Sequence, residues 1–125
     1  MSGCNVGLGG YGDEPAEFYE AEIRKARKEH LCSECRESIL PGEQYEHVAG
    51  KWDGDFGTYN TCLRCVAIRS GLSCDGTWAF GSLWEEIHDY VFPAMTTGCL
   101  ERIEGAAAKQ LLIDRWNKWK FERAR

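Results

Sequence analysis

Two Cys-x-x-Cys pairs constrain this 125-residue chain more than any other feature of its sequence. The first pair is Cys32 and Cys35, the second is Cys62 and Cys65, and 26 residues separate them. Each pair can form a tight turn that directs both sulfurs to one point, and two such turns supply the four thiolates of a closed tetrahedral site. The spacing therefore predicts one structural Zn²⁺ bound by these four residues.

Three further cysteines, Cys4, Cys74 and Cys99, have no partner at ligand spacing, and we expect them to be small buried residues or incidental thiols. The total of seven is odd, and the N-terminus lacks the basic-then-apolar pattern of a secretion signal. These features favour reduced thiols in the cytoplasm over a disulfide framework. Four ordinary buried cysteines, or two disulfides of a secreted module, are the alternatives to the metal site.

Composition excludes two broad classes of protein. No apolar run approaches the roughly 20 residues of a membrane-spanning helix. The formal net charge of −5 gives no general attraction to nucleic acid or anionic lipid. With 43% hydrophobic residues and five tryptophans, the chain is predicted to fold as one domain rather than to be disordered.

The glycine-rich segment 1–12 is predicted to be a flexible tail, and 13–125 the single domain. Residues 7–12 match G-x-G-x-x-G, but too few residues precede them to form the strand that a dinucleotide site needs. An acidic cap and a proline at 13–15 predict a helix start. Tyr19, Ile23 and Ala26 would form the apolar stripe of this helix.

The segment 24–72 predicts a treble-clef zinc finger. Its predicted elements are a cysteine knuckle at 32–35, a strand at 43–48, an Asp-Gly hairpin turn at 53–54, a return strand at 56–61, and a helix at 62–70 that ends at Gly71. The amide groups at a helix N-terminus favour the negative charge of a four-thiolate zinc centre. Arg36 and Arg64, each beside a ligand, could offset the same charge.

Two more helices are predicted in the helical extension at 73–125. The first spans 80–92 and ends at Pro93, after a turn at 74–76. The second spans 98–121, with an early apolar stripe of Leu100, Ile103 and Ala107 and a later one of Leu112, Trp116 and Trp119. The predicted fold is α+β, with the finger flanked by α-helices.

With these elements in place, the chain resembles a family of small uncharacterised proteins of bacteriophages and prophages. The resemblance covers about 24–90. It rests on the runs RKARKEHLCSEC at 24–35, PGEQYEHVAGKWDG at 41–54, TYNTCLRC at 58–65 and LWEE at 83–86. The most specific part is the run through Tyr45, Trp52, Asp53 and Gly54. The family implies a phage context and no particular activity.

The residues disfavour an enzyme. A four-cysteine site has no open position for water or substrate. Treble-clef nucleases of the His-Asn-His type need a histidine on the helix after the hairpin, and the helix after Cys62 has none. His47 and Asn60 are expected to be neighbours across the hairpin, as an ordinary polar pair.

Nucleic-acid binding, as a zinc-finger regulator, is the alternative function. Residues 115–125 hold five bases and one acid, interleaved with Trp116, Trp119 and Phe121, a composition that can stack on single strands. Against it, residues 13–22 and 73–104 are strongly acidic, and affinity for nucleic acid depends mainly on neutralising phosphates.

Protein binding is the favoured function. Exposed aromatic residues and segregated charge are typical of docking modules. In a phage context, the expected partner is a host or defence protein, for example a CRISPR-type complex whose nucleic-acid channel an acidic surface could occupy. The last helix is also a candidate homodimer contact. The candidate partner-binding residues are Trp52, Asp53, Asp55, Glu85, Glu86, Asp89, Trp116 and Trp119.

Overall fold

The fold combines a small antiparallel sheet with helices, so the predicted α+β class is confirmed. The computed structural model describes residues 18–52, 54–72 and 80–123. The strands are Phe18–Lys25 (β1), His30–Leu31 (β2), Ser38–Ile39 (β3), Gln44–Trp52 (β4) and Asp55–Cys62 (β5). The helices are Leu63–Leu72 (α1), Leu83–Glu86 (α2), Thr97–Glu101 (α3) and Ala106–Arg123 (α4), and α2 continues into a π-helical turn at Ile87–Val91 and a 3₁₀ turn at Phe92–Ala94.

The main sheet has the strand order β1-β4-β5, with every neighbour antiparallel. Its central hairpin joins β4 to β5 at the predicted place, since Trp52 pairs with Asp55. Gly54 has a φ of +84°, the left-handed conformation that an Asp-Gly hairpin turn favours. Across this hairpin His47 faces Asn60, and the two side chains are hydrogen-bonded at 2.8 Å, as expected from the sequence.

The predicted helix before the finger is wrong in its described part, because Phe18–Lys25 forms strand β1. Its apolar stripe suggested a helix, and its Glu, Ala, Arg and Lys residues also favour one. However, β4 offers an edge along its whole length, and each residue of β1 pairs with it. Arg24 pairs with Glu22, two residues away on the same strand face. The predicted helix start at 13–15 lies outside the described residues.

The cysteine knuckle sits between two short strands. β2 and β3 form a two-stranded ladder in which His30 pairs with Ile39, and the chain between them carries the first cysteine pair. Helix α1 starts at Leu63, one residue later than predicted, because Cys62 still belongs to β5, and it continues past Gly71 to Leu72. Gly71 therefore does not end the helix. A Cβ atom there would lie 2.5 Å from the carbonyl oxygen of Arg102, so the glycine permits a close backbone approach.

The first helix predicted in the extension starts later than expected. It was predicted over 80–92 and begins at Leu83, and Pro93 lies in the 3₁₀ turn where it ends. Leu83, Ile87 and Val91 are buried on one face, as the periodicity indicated. The predicted turn at 74–76 and the predicted tail at 1–12 lie outside the described residues.

The long helix predicted over 98–121 is two helices, α3 and α4. The break follows from Gly105, which has a φ of +95°, and from the turn that buries Ile103 ahead of it. The helical phase of α4 is consequently shifted, and Ala108 is buried where Ala107 was expected. No helix among the described residues is long and apolar enough to cross a membrane.

The name α2 segment is used for 83–94, which is α2 with the two turns that follow it. The core lies where α1, the α2 segment, α3 and α4 meet beside the cysteine cluster. Its largest fully buried side chains outside the sheet are Ile68, Leu72, Leu83, Ile87, Val91, Phe92, Ile103 and Leu112. Trp116 and Trp119 of α4 are partly buried against this core. One continuous set of buried residues therefore joins the cysteines to the helices.

Candidate metal centre

The fold brings the sulfur atoms of Cys32, Cys35, Cys62 and Cys65 together. All four Sγ atoms lie within 4.8 Å of one another, and those of Cys35 and Cys62 are 3.8 Å apart. All four residues are buried, and no disulfide joins them. The first pair comes from the turn between β2 and β3, Cys62 ends β5, and Cys65 lies in the first turn of α1. The cluster could hold one metal ion.

The turn that carries Cys32 and Cys35 contains one residue in the left-handed conformation and closes with a backbone hydrogen bond. Arg36 has a φ of 65°, in the left-handed region, and its N–H donates to the carbonyl of Cys32 at 3.1 Å. The turn is also attached to β5, because the N–H of Ser33 donates to the carbonyl of Asn60 at 2.7 Å and the Asn60 N–H returns to Ser33 Oγ at 3.1 Å. These bonds place the knuckle beside the strand end that supplies Cys62.

Nitrogen donors surround the sulfurs. The backbone N–H groups of Glu34 and Cys62 each donate to Cys32 Sγ at 3.4 Å. The indole Nε1 of Trp84, at the start of α2, donates to Cys65 Sγ at 3.4 Å. Such bonds favour the thiolate form over the thiol, and donors that contact metal ligands in this way fix the orientation of those ligands.

Thiols packed this closely share their protons. Hydrogen bonding first to Cys35, and then to the other two cysteines, holds the pKa of Cys32 far below its usual range. The pKa of Cys35 is raised, above all by its hydrogen bond to Cys32, and that of Cys65 is raised for the same first reason. One thiolate is thus held by protonated neighbours, and a bound cation would take the place of those protons.

Two arginines converge on the knuckle. Arg115 of α4 donates from Nη2 to the carbonyl of Cys35 at 2.8 Å and contacts Glu37 at 3.2 Å. Arg64 lies 3.6 Å from the other Glu37 oxygen, and Arg115 stacks over the Trp84 ring at 4.6 Å. The sequence predicts Arg64 near the ligands because this residue directly precedes Cys65. Nothing in the sequence marks Arg115, which is 80 residues from Cys35.

Glu34, between the cysteines of the first pair, was also missed. Its carboxylate is buried and accepts the backbone N–H of Gly81 at 2.8 Å and of Leu83 at 3.1 Å. Burial raises the pKa of this carboxyl, and the two N–H bonds oppose the shift. Glu34 thereby connects the knuckle to the N-terminus of α2. The N-cap residue of α2 makes no side-chain capping bond, and Glu34 supplies an acceptor for that end instead.

The candidate partner-binding residues lie in three places. Asp55 is exposed beside the hairpin turn, while Asp53 and the Trp52 side chain lie outside the described residues. On the α2 segment, Glu85 and Asp89 are exposed and Glu86 is half-buried. Trp116 and Trp119 are half-buried and carry Lys120 and Arg123 over their rings, at 4.2 and 4.9 Å from the ring centroids.

Cys99 lies apart from the four-sulfur cluster. It is fully buried, as expected, but it is disulfide-bonded. The expectation that every thiol is reduced is therefore wrong at this position. No signal in the sequence distinguished Cys99 from the other cysteines that lack ligand spacing.

Comparison with protein-family models, curated proteins and solved structures finds no match to this chain. The resemblance to phage proteins stays a prediction. The chemistry of the site has to be inferred from its own residues, which are four buried thiols, the donors that contact them and the arginines beside them.

Proposed function

We propose that the chain is a treble-clef zinc finger whose single Zn²⁺ is structural. Zn–S bonds of about 2.3 Å at tetrahedral angles place two sulfurs about 3.8 Å apart. The separation of the Cys35 and Cys62 sulfurs, 3.8 Å, supports this geometry. The element order supports it too, because a knuckle, an antiparallel hairpin and a helix that carries the last ligand follow one another.

The observation that supports a non-enzymatic role is the closed and buried cluster of four sulfurs. Four thiolates complete the coordination of Zn²⁺ and leave no position for water or substrate. Cys32 and Cys65 are fully buried, so solvent does not reach the centre from their side. The metal is proposed to join the knuckle, the hairpin and α1 into one scaffold.

The scaffold is proposed to bind another protein, in the phage context a host or defence protein such as a CRISPR-type complex. The supporting feature is the surface of the α2 segment, where Glu85 and Asp89 are exposed and Tyr90 is 63% exposed. Trp119 packs on Phe92 with a ring separation of 5.8 Å, so the aromatic end of α4 borders this segment. A carboxylate surface next to tyrosine suits a basic partner surface, including one that normally binds phosphate.

The metal part of the proposal is tested by elemental analysis of protein purified without added metal. We expect one zinc per chain. A chain that carries no metal, or one whose metal stays bound after all four cysteines are alkylated, would contradict it.

The binding part is tested by affinity capture from a bacterial lysate with a charge-reversal variant. Glu85→Lys with Asp89→Lys should lose at least nine-tenths of a specifically captured protein. A matched control, Glu101→Lys with Glu104→Lys, makes the same charge change at exposed acids outside the α2 segment and should keep it. Equal capture by both variants would remove the α2 surface from the proposal.

A further inference from the structure

Three pockets adjoin one another along one side of the molecule. The first, of about 610 Å³, shares Lys25 with a second pocket of about 530 Å³. The residues that line the first pocket are Arg24, Lys25, Arg27, Lys28, His30 and Tyr45. The second shares Arg64 and Ala107 with a third, of about 390 Å³, against α4. Because the second pocket shares lining residues with each of the other two, the three are taken together as one groove, whose middle part is lined by Cys62 of the metal centre.

The groove is basic although the chain as a whole carries a net charge of −5. Its cationic lining residues are Arg24, Lys25, Arg27, Lys28, Arg64, Arg115 and Lys118. Its acidic lining residues are Glu37, Glu43 and Asp114. The cations outnumber the acids by seven to three, so the groove attracts anions where most of the surface does not.

The acids of the groove are already engaged. Glu37 contacts both Arg64 and Arg115. The carboxylate of Glu43 accepts the backbone N–H of Leu40 at 2.7 Å, and Asp114 accepts a hydrogen bond from Gln110 at 2.8 Å. Glu43 and Asp114 keep their negative charge in these bonds, so the seven cations and three acids of the lining leave a formal excess of four positive charges.

That far end holds three exposed cations, Lys25, Arg27 and Lys28, which form no ion pair with any acidic residue in the described ranges 18–52, 54–72 and 80–123. Only Arg24 has an acidic partner there, Glu22. Like charges that line one pocket repel one another, so a bound anion would relieve their repulsion. We name these three residues the cation triad.

The backbone under the cation triad is held in place. The N–H of Ala26 donates to the carbonyl of Glu43 at 2.8 Å, and the N–H of Gly42 donates to the carbonyl of Ala26 at 2.8 Å. Ala26 is buried, and the His30 ring packs on Tyr45 at 5.0 Å beside it. The charges thus project from a fixed turn, and little backbone ordering would accompany binding.

We propose that this groove binds the phosphodiester backbone of a single-stranded nucleic acid, with the cation triad as its main contact. Repeated phosphates match a row of guanidinium and ammonium groups. A concave groove admits a single strand, whereas reading duplex DNA needs a protruding helix or ribbon that enters the major groove. The four thiolates of an occupied metal centre would reduce the positive potential near Arg64, so the contact is strongest at the triad. The groove shares no residue with the α2 surface proposed for protein binding.

The test measures binding of a fluorescent 20-nucleotide oligo-dT by anisotropy at several salt concentrations, with full-length, metal-loaded protein. Each phosphate contact to a single strand contributes about −0.7 to the slope of log K against log salt. Replacing the triad by Lys25→Gln, Arg27→Gln and Lys28→Gln should lower affinity at least tenfold at low salt and reduce the slope by about 2. Because these side chains are exposed and unpaired in the described structure, metal content and thermal midpoint should not change.

A matched control replaces three cations of α4 that do not line the groove, by Lys109→Gln, Lys120→Gln and Arg123→Gln. It removes the same charge and should change affinity less than threefold. An equal loss of affinity in both variants would mean that only the net charge of the protein matters. A loss of affinity in the control alone would mean that the strand binds at the tryptophan-bearing end of α4. Either result overturns the proposal, as do absent binding by the wild-type protein, tighter binding of a duplex, and equal competition by poly-glutamate. Protein capture through Glu85 and Asp89 would be unaffected by any of these outcomes.

Discussion

The knuckle and hairpin, residues 26–62, and the helical region, residues 80–123, are held together in different ways. Apart from its cysteines, the first region buries few apolar side chains, namely Ala26, Ile39, Tyr45 and Val48. The second buries Leu83, Trp84, Ile87, Val91, Phe92, Met95, Ile103, Ala108, Leu111 and Leu112. The first region therefore depends on its sulfur cluster and hairpin hydrogen bonds, and the second on burial of apolar surface.

The two regions are nevertheless connected at the metal centre. Trp84 donates to the sulfur of Cys65, Glu34 accepts the N–H groups of Gly81 and Leu83, and Arg115 donates to the carbonyl of Cys35. The Glu34 and Arg115 contacts cross from one region to the other, and the Trp84 bond joins the helical region to the ligand on α1. Coupling through these contacts is reciprocal, so loss of the metal should weaken the helices, whereas a core substitution that leaves the helical region folded should leave the sulfurs in place.

The largest expected effect is the loss of a ligand. Cys35→Ser removes one of four thiolates, and metal binding contributes on the order of 10 kcal/mol to the folding of such sites. We expect the variant to lose its metal and the amide protection of 30–62, while α4 keeps part of its protection. Elemental analysis and hydrogen exchange with mass spectrometry measure the two outcomes.

The control for this variant is Ser33→Ala in the same turn. Ser33 accepts the N–H of Asn60 but is not a ligand, so its replacement should retain one metal per chain. Loss of metal in both variants would mean that the turn tolerates no change. Equal loss of protection in α4 and in 30–62 would show that the two regions unfold as one unit.

A core substitution tests the other half of the comparison. Leu112 is fully buried in α4, and Leu112→Ala should lower the free energy of unfolding by about 2–5 kcal/mol through lost burial and a new cavity. Metal content should stay at one per chain. Phe121→Ala, on the same helix at a residue that is 67% exposed, should cost less than about 1 kcal/mol. Denaturant titration compares them, and metal loss from Leu112→Ala would break the separation between the regions.

Metal affinity should fall steeply as the pH falls. The raised pKa values of Cys35 and Cys65 favour the protonated thiols near neutral pH in the metal-free cluster, and the pKa of Cys62, lowered to about 7, leaves its thiol partly protonated there. Binding therefore releases two protons and part of a third, and affinity should drop by about a hundredfold to a thousandfold per pH unit between about pH 7.5 and 6.5. Competition with a chromophoric chelator measures it. An affinity that does not change over this range would show that the thiols are ionised before the metal arrives.

Features with short sequence separation were predictable. The cysteine spacing and the Asp-Gly turn each encode a local geometry, and the structure has the cysteine cluster and the hairpin where the sequence indicated. His47 and Asn60 followed from the register of that hairpin. These predictions needed no knowledge of how distant parts of the chain meet.

Features decided by distant contacts were not predictable. Strand β1 has the composition of a helix, and only the open edge of β4, about 20 residues later, makes it a strand. The roles of Glu34 and Arg115 depend on the docking of the helical region against the knuckle. The groove at 24–28 depends on the pairing of β1 with β4 and on the position of α4 beside α1.

The smallest predicted effect concerns the junction between α1 and the chain that precedes α4. A Cβ atom at Gly71 would lie 2.5 Å from the carbonyl oxygen of Arg102 and 2.7 Å from Cδ1 of Ile103. Backbone cannot move aside as a flexible side chain can, so Gly71→Ala should cost about 1–3 kcal/mol despite the better helix propensity of alanine. The free energy of unfolding measures this cost.

Gly98→Ala provides the comparison, because Gly98 is also helical and a Cβ there meets only Thr96 Oγ1, at 3.5 Å. Relief of the glycine penalty should make this variant neutral or up to about 1 kcal/mol more stable. The two substitutions are chemically identical, so their difference reports the close approach of Arg102 and Ile103 to Gly71. If Gly71→Ala is as stable as Gly98→Ala, the helical region can shift away from α1 at little cost. The metal centre, rather than this junction, would then hold the two regions in register.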